Sequence, residues 1–492
     1  MESFDTIDIL DLHGSTKKKE VCPDGSKDEN VFAIQQGVAI SIFTKLKEST
    51  GKCRVRHGDI WGTQKDKYAS LWKLGPKSRH QKRIKPRTPS YYFIPRDTTL
   101  AKEYEQYWKI TDIMKVNSVG IVTARDKLTI RWSEDEVWKT VNRFINLTDE
   151  KAKEQFKLQQ DARDWKVSLA QEDIRSTGPI RDNIIPISYR PFDARFTYYT
   201  GQARGYICMP RKNVMQQMLA KENLGLITAR SNKSPSPDHF FCSRLITEAK
   251  CGESTTQSYL LPLYIYPEEK KNSGGGNGNH GNMMLFEPGA KYATRRTNLD
   301  AAFIAEMETK LKMSFIETGS GKGDLKKTFG PEDIFHYIYA IFHSPTYRSR
   351  YAEFLKSDFP RLPLTSKKPL FRKLASLGEK LVGLHLMESS ELDDFITVYN
   401  VTGNNLVEQV RYLDTKKQVY INKKQFFAKI PLEVWEFRIG GYKVCEKWLK
   451  DRKERKLSFE DIRHYQKLIA AISKTLRLMR AIDKAIPDWP IE

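Results

Sequence analysis

The spacing of apolar residues changes along this chain, and the change limits the folds it can adopt. Up to about residue 267, apolar residues come in short β-branched and aromatic runs, such as FDTIDILDL (4–12) and SYLLPLYIYP (258–267). Such runs predict strands. From residue 298 onward the spacing is mostly helical, with a strand-rich insertion at 409–444. The pattern therefore predicts an α/β protein whose helices concentrate in its C-terminal part.

Three segments carry helix-start signals. Ser133 and Glu136 form a candidate capping box for a helix across residues 133–167, and Ser458 with Asp461 resembles a second one. Gly330-Pro331-Glu332-Asp333 combines an early proline with acidic residues in the first turn, which also favours a helix start.

Proline and glycine mark expected interruptions. Residues 182–200 (DNIIPISYRPFDARFTYYT) are β-rich, with breaks expected at Pro186 and Pro191. The Gly/Asn-rich stretch at 272–282 predicts a flexible surface loop. The basic, proline-flanked stretch at 77–87 (KSRHQKRIKPR) predicts a loop or linker that either is simply solvated or contacts phosphates.

The charge balance points to a polyanionic partner. Lys and Arg total 83 against 61 Asp and Glu, a formal net charge of +22 over 492 residues. Nucleic acid is the leading candidate, because phosphate neutralisation supplies much of the affinity of proteins for DNA. A basic but otherwise ordinary protein is the alternative interpretation.

Cysteine usage and hydropathy indicate a cytoplasmic protein. The six cysteines are scattered without a C-x-x-C pair, which favours a reducing compartment over a disulfide framework or a zinc knuckle. The sequence shows neither an apolar run of about 18 residues nor the layout of a signal peptide, so we expect no membrane association.

Two strand-like runs end in the same tripeptide, Thr-Ala-Arg. They are VGIVTARDKLTI (119–130) and LGLITARSNKSP (224–235). An arginine just past a strand end has a fixed backbone and a side chain that can reach a groove or a phosphate. Alternatively, Arg125 and Arg230 pair with internal carboxylates, or the short echo is a coincidence.

Basic residues interleaved with aromatic ones supply the remaining candidates for DNA contact. They lie after the first Thr-Ala-Arg, in the segment 188–215, and in GGYKVCEKWLKDRKERK (440–456), where a glycine pair that we expect to be flexible precedes a basic helix. A solvated helix face is the alternative for the last segment. The full set of candidates is Arg125, Lys127, Arg190, Arg195, Arg204, Arg211, Arg230, Lys443, Lys447, Lys450 and Arg452.

Enzymatic motifs are scarce. The sequence has no P-loop, no H-E-x-x-H and no G-x-S-x-G. One pattern, Pro237-Asp238 followed by Glu248-Ala249-Lys250, has the loose spelling of a magnesium nuclease, in which two carboxylates hold the metal and a lysine stabilises developing charge. A magnesium nuclease is therefore the alternative function.

Six segments in the same order resemble one family, the type ISP restriction-modification enzymes. Residues 9–45 resemble the end of the methyltransferase domain of these enzymes. Five further segments resemble the specificity region of these enzymes, namely 119–130, 187–200, 261–267, 332–364 and 439–453. The resemblance implies a remnant of a Rossmann-like methyltransferase sheet (1–76), the first part of a mixed α/β target recognition region (77–285), and a helical and β-rich specificity region (286–492).

Complete enzymes of this family join a nuclease, an ATPase, an adenine-N6 methyltransferase and a recognition domain. The resemblance thus implies S-adenosylmethionine, ATP and magnesium as cofactors of the complete enzyme. This chain has no N-P-P-Y or D-P-P-Y motif, so we transfer no catalytic residue and no cofactor to it, and we expect it not to methylate DNA alone. It would be either a fragment or a subunit completed by a separate chain. The few finishing strands would leave exposed sheet edges unless partner strands cover them.

The expected function is sequence-specific recognition of double-stranded DNA for such an enzyme. A protein-binding scaffold with incidental basic charge is a third class of function, and the salt dependence of DNA affinity would distinguish it.

Overall fold

The computed structural model describes residues 3–18, 20–47, 51–74, 82–87, 91–232, 236–267, 295–317 and 319–492. The chain forms two compact units, residues 1–99 (unit 1) and 100–492 (unit 2). The boundaries expected at 76/77 and 285/286, the loop expected at 272–282 and residues 77–81 of the basic stretch lie outside the described residues. The prediction of a loop or linker over 77–87 is wrong at Lys82–Ile84, which form a strand because they pair with the strand Arg54–Asp59.

Unit 1 is a small mixed sheet with one helix. Its sheet has the strand order β2-β1-β3-β4, in which β1 runs antiparallel to β2 and parallel to β3. Ile7, Ile9 and Val55 form its buried apolar cluster. The elements are β1 (Thr6–Asp11), β2 (Ala39–Thr44), β3 (Arg54–Asp59), α1 (Gln64–Lys73) and β4 (Lys82–Ile84).

A buried ion pair joins the loops of unit 1. The Lys67 ammonium lies 2.6 Å from Asp28 Oδ1, and both side chains are fully buried. The Asp28 carboxylate also accepts hydrogen bonds from the backbone N–H groups of Gly14 and Gly62, which follow the parallel strands β1 and β3. Because each buried charge is paired and hydrogen-bonded, these loops are held in one arrangement.

Strand β2 is exposed along its length, in contrast to β1. None of its six residues is buried, and Ile40, Ile42 and Phe43 are among the exposed large apolar side chains of unit 1. Since β2 is also the edge of the sheet, its outer backbone groups face no neighbouring strand among the described residues.

The first part of unit 2 contains two four-stranded sheets, with the orders β11-β10-β13-β6 and β12-β8-β9-β7. Pro186 lies inside β8, paired with Phe196, so the break expected there is wrong; it is tolerated because β12 pairs only with Ile187 and Ser188 on the other side. The elements are α2 (Ala101–Tyr104), β5 (Trp108–Lys109), α3 (Ile110–Ile113), β6 (Ser118–Val119), α4 (Asp126–Thr129), β7 (Ile130–Arg131), α5 (Glu134–Ile145), α6 (Asp149–Gln155), α7 (Val167–Thr177), β8 (Ile184–Arg190), β9 (Asp193–Tyr198), α8 (Lys212–Ala220), β10 (Gly225–Ala229), β11 (Phe241–Ser243), β12 (Ile246–Thr247), β13 (Ser258–Pro262) and β14 (Tyr264–Ile265).

The helix expected across 133–167 is shorter than predicted. Ser133 caps α5 by accepting from the Glu136 N–H, as expected, but the Glu136 carboxylate accepts from the N–H of Trp132 rather than from that of Ser133. The helix ends at Ile145, and Thr148 caps the separate helix α6.

The middle of unit 2 is built around α10, which is buried on every side apart from Glu332. It begins at Pro331 as predicted, with the Asp333 carboxylate accepting from the Gly330 N–H. α10 packs directly on α13, where a Cβ at Gly378 would lie 1.8 Å from the His336 carbonyl oxygen. The elements are β15 (Arg296–Thr297), α9 (Ala301–Leu311), β16 (Ser314–Phe315), β17 (Thr328–Phe329), α10 (Pro331–His343), α11 (Pro345–Arg350), α12 (Ala352–Leu355), β18 (Arg361–Leu362) and α13 (Lys368–His385).

The C-terminal part contains the predicted strand-rich insertion and a last long helix. Ser458 and Asp461 form the predicted capping box at its start. Gly440 and Gly441 form the turn of a closely packed hairpin, where a Cβ at Gly440 would lie 2.3 Å from the Gly252 carbonyl oxygen. The expected flexibility of this pair is therefore wrong. The elements are β19 (Arg411–Leu413), β20 (Gln418–Tyr420), β21 (Phe426–Phe427), α14 (Leu432–Trp435), β22 (Arg438–Ile439), β23 (Tyr442–Lys443), α15 (Val444–Lys450) and α16 (Phe459–Ala485).

Candidate nucleic-acid interface

The two Thr-Ala-Arg segments leave the same sheet at the same edge. Strands β6 and β10 both pair antiparallel with β13, one on each side, so they run parallel to each other. Val119 and Thr228 both lie opposite Tyr259. Arg230 follows β10 directly and is exposed, whereas Arg125 lies six residues beyond Val119. The sequence echo thus corresponds to two flanking strands of one sheet.

The Arg125 guanidinium is anchored rather than free. It donates hydrogen bonds to the carbonyl oxygens of Ala124 (2.9 Å) and Gln160 (2.8 Å) and lies over the ring of Trp165, 4.8 Å from its centroid. Its side chain is half-buried, while Lys127, two residues further on, is exposed. Trp165, 40 residues further along the chain, thus packs against the Arg125 side chain. No local sequence signal predicted this contact.

Three of the predicted arginines come together around Cys208, and we call Arg125, Arg204 and Arg211 the arginine cluster. The backbone N–H of Arg204 donates to the Cys208 carbonyl oxygen at 2.9 Å, and Arg211 Nη2 lies 3.3 Å from the Met209 sulfur. Burial and the nearby Asp164 raise the pKa of the Cys208 thiol, whereas the charges of all three arginines act to lower it. The three guanidinium groups therefore share one electrostatic neighbourhood.

The backbone of the arginine cluster adopts a rare conformation at three points. Ala124, Arg204 and Arg211 have φ values of 61°, 60° and 55°, in the left-handed region that non-glycine residues rarely occupy. Such conformations cost of order 1 kcal/mol or more each, and they concentrate at ligand-binding sites. They fix the directions in which the two arginine side chains leave the chain.

The arginine cluster carries excess positive charge. The carboxylate of Asp164 lies 3.9 Å from Arg204 and also pairs with Arg163, whose guanidinium hydrogen bonds hold the pKa of Asp164 below its ordinary value. Within the described part of the chain, neither Arg125 nor Arg211 has a carboxylate oxygen within 4.0 Å. An anion would therefore be favoured at this surface.

Three other predicted arginines lie in a buried network instead. Arg190 pairs with Glu248 at 2.7 Å, whereas Arg195 and Arg452 share the Asp193 carboxylate at 2.8 and 3.0 Å. Each of these three residues is more than nine-tenths buried. Their guanidinium groups are paired with carboxylates inside the protein, so the structure does not support DNA contact by these three side chains.

Aromatic rings complete this network, which we call the Asp193 network. Arg195 is stacked between Trp132 and Tyr189, at 3.8 and 4.2 Å from their ring centroids, and Arg452 lies 3.3 Å from that of Trp448. Burial acts to raise the pKa of Asp193, but the two arginine charges outweigh it and hold that pKa below its ordinary value. The network joins β9 to the segment that follows α15.

Each of the three predicted lysines around α15 is paired with a carboxylate. Lys443 pairs with Glu436 at 2.6 Å and Lys450 with Glu446 at 2.7 Å. Lys447 pairs with Asp451 one turn along. This arrangement matches the solvated helix face that the sequence left open as the alternative.

The residues of the nuclease pattern do not form a free carboxylate pair. Glu248 is buried against Arg190, and burial raises the pKa of its carboxyl group. Asp238 is buried, whereas Lys250 is exposed. Among the described residues, no group of three or more His, Cys, Asp or Glu side chains is arranged to hold a metal ion. No observation favours the nuclease interpretation.

As for the membrane, none of the helices in the described ranges is both long enough and apolar enough to cross one.

The fold of the chain matches solved structures of restriction-modification enzymes. "ATP-dependent Type ISP restriction-modification enzyme LlaBIII bound to DNA" matches with a TM-score of 0.71 and 18% identity over 100% of this chain and 31% of that one. A nuclease-deletion mutant of the type ISP enzyme LlaGI with a DNA substrate mimic matches with a TM-score of 0.66 and 18% identity, over 99% of this chain and 44% of that one. The DrdV–DNA complex matches with a TM-score of 0.66 and 19% identity, over 98% of this chain and 48% of that one.

These matches show a shared fold, and the chain spans a third to a half of the length of those proteins. No curated protein sequence matches it. The sequence profile of the type ISP C-terminal specificity domain matches residues 112–481, so the chain belongs to that family.

Proposed function

We propose that this chain recognises a specific sequence of double-stranded DNA as the specificity part of a type ISP restriction-modification system. The observation that carries the proposal is the arginine cluster: three guanidinium charges act on the same thiol, and within the described part of the chain only that of Arg204 has a carboxylate oxygen within 4.0 Å. The family and the DNA-bound structures of the same fold support it. Guanidinium groups suit this role because their fork geometry matches both phosphate oxygens and guanine edges.

Within this proposal, the DNA-contacting residues are the arginine cluster together with the exposed residues Lys127 and Arg230. Both lie on segments that leave the sheet at the same edge, after β6 and β10. Lys443, Lys447 and Lys450 are already paired, and Arg190, Arg195 and Arg452 are buried, so we assign these two groups to stability rather than to DNA contact.

Removing the charges of the arginine cluster tests the proposal. In the variant R125Q/R204Q/R211Q, we expect DNA affinity at physiological salt to fall about tenfold or more, and the slope of log K against log salt to become shallower by about 2 to 3, because each lost phosphate contact contributes roughly 0.9. Fluorescence anisotropy with a labelled duplex at several salt concentrations measures both quantities.

The variant K443Q/K447Q/K450Q is the matched control, since it removes the same number of charges from a paired surface. We expect its salt slope to stay close to that of the wild type. Equal losses in the two triple variants would mean that only net charge matters, and a wild-type affinity that barely changes with salt would contradict DNA binding through phosphates.

We also propose that unit 1 is the end of an adenine-N6 methyltransferase domain whose remaining strands lie elsewhere in the system. The support is the exposed edge strand β2, with apolar residues on both faces and no partner strand on its outer side among the described residues. The methylation would then require the S-adenosylmethionine site of the other part; the described residues of unit 1 supply no N-P-P-Y motif, and we assign no step of the reaction to them.

Hydrogen exchange of β2 tests this second proposal. In the chain alone, we expect the amides of residues 39–44 that face away from β1 to exchange rapidly, because they have no acceptor. Co-expression with an upstream product that contains N-P-P-Y should protect them while leaving β1 unchanged. Full protection of β2 in the chain alone, or no change in the complex, would contradict the proposal.

A further inference from the structure

One aromatic side chain of unit 2 is mostly exposed. The Phe459 side chain is 75% exposed. The other exposed large apolar side chain in the described part of unit 2 is that of Leu432, at 46%. Single exposed apolar residues are common on protein surfaces. An exposed phenylalanine becomes informative when its support is rigid and its surroundings favour one kind of partner.

The support of Phe459 is rigid. Phe459 is the first residue of α16, directly after the cap residue Ser458, and both hydrogen bonds of the Ser458–Asp461 capping box are formed. Asp461 also lies 3.6 Å from the guanidinium of Arg452, a member of the Asp193 network. Further along, α16 is anchored in the core through buried residues such as Tyr465. The aromatic ring is thus presented from a fixed backbone.

Two lysines that are unpaired in the described part of the chain precede Phe459. Of the five basic residues at 450–456 (KDRKERK), Lys450 is paired with Glu446 and Arg452 is buried in the Asp193 network. Lys453 and Lys456 are exposed, and neither has a carboxylate oxygen within 4.0 Å in the described part of the chain. The Arg455 guanidinium lies over Trp132, 4.2 Å from the ring centroid. Glu454 and Glu460 are the exposed acids nearby in sequence.

We propose that Phe459 is a specificity-determining residue that contacts a base of the bound duplex, with Lys453 and Lys456 on the flanking phosphates. The occupant is DNA because rigidly held apolar side chains flanked by cations pack against bases, either by stacking at an opened base step or by touching the methyl group of thymine. This inference rests on the proposed function and extends it to a surface formed by the C-terminal part of unit 2.

The test uses the full chain and a pool of randomised duplexes, from which the wild-type protein selects its preferred site. We expect F459A to bind that site about tenfold to a hundredfold more weakly, the range for losing a base contact, while its affinity for a scrambled duplex and its salt slope stay unchanged. K453Q should weaken binding to both duplexes equally and reduce the salt slope by about 1.

The control variant is L432A, which removes the other exposed apolar side chain of the described part of unit 2 and should leave the preference unchanged. If F459A keeps the wild-type ratio of affinities, the inference is overturned even though DNA recognition stands. If the wild type selects no sequence, the proposed function fails and the inference with it.

The two kinds of base contact are separated within the same experiment. Replacing thymine by uracil in the selected site should reduce wild-type affinity, but not that of F459A, if the ring touches a thymine methyl group. If uracil has no effect and F459W retains the wild-type preference, the contact is stacking. Either result supports a base contact by Phe459.

Discussion

Replacing Asp193 by Asn should destabilise unit 2 by about 3 to 5 kcal/mol, the range for breaking a buried ion pair by removing one partner. The Asp193 carboxylate is the shared acceptor of Arg195 and Arg452, and its side chain is almost fully buried. Without its charge, two buried guanidinium groups lose their common partner. Because the network joins β9 to the segment after α15, the loss would affect both parts of unit 2.

Urea denaturation followed by tryptophan fluorescence measures this loss, since all tryptophans except Trp61 and Trp72 lie in unit 2. The control is D135N, which removes the charge partner of Arg181 from an exposed pair and should cost less than about 1 kcal/mol. A change below 1 kcal/mol in D193N would show that the stacked rings, and not the carboxylate, hold the arginines.

Unit 2 should lose several kcal/mol of stability between pH 6.5 and 4.5. Burial lowers the pKa of His239 and His336 to about 4 and that of His385 to about 3, and it holds the pKa of His343 well below its ordinary value. In the unfolded chain these groups titrate near 6.5. The unfolded state therefore binds more protons across this range, and stability falls as the pH falls, by about 2 kcal/mol per histidine at pH 4.5.

Carboxyl groups with raised pKa values oppose this loss of stability in part. Burial raises the pKa values of Asp173, Glu248, Glu332 and Asp333, so their protonation favours the folded state as the pH falls. They reduce the net loss of stability over this pH range, because their folded-state pKa values lie above those of the unfolded chain.

The variant H336Q separates the histidine contribution. It should lose about 2 kcal/mol less than the wild type between pH 7 and pH 4.5, whatever its stability at pH 7, when the free energies of unfolding at the two pH values are compared. Identical losses in the wild type and H336Q would mean that His336 is protonated in the folded protein at pH 4.5.

The sequence by itself predicted the local events that nearby residues control. The helix starts at Pro331 and Ser458 were predicted because capping is decided within four residues. The resemblance to type ISP enzymes was confirmed at the level of the family, and the mixed α/β fold at the level of the solved structures. The break expected at Pro186 was wrong, because whether a proline interrupts a strand depends on a neighbouring strand from residues 246–247.

Only the tertiary structure decided which arginines are available to a ligand. Arg190, Arg195, Arg204 and Arg211 come from one basic and aromatic stretch and look alike in sequence, yet the first two are buried in ion pairs while the last two join Arg125 at the surface. The physical reason is that burial and pairing depend on distant partners: Asp193 is shared with Arg452, 259 residues away along the chain. The sequence determined where positive charge is carried, and the packing of distant segments determined which of it is neutralised.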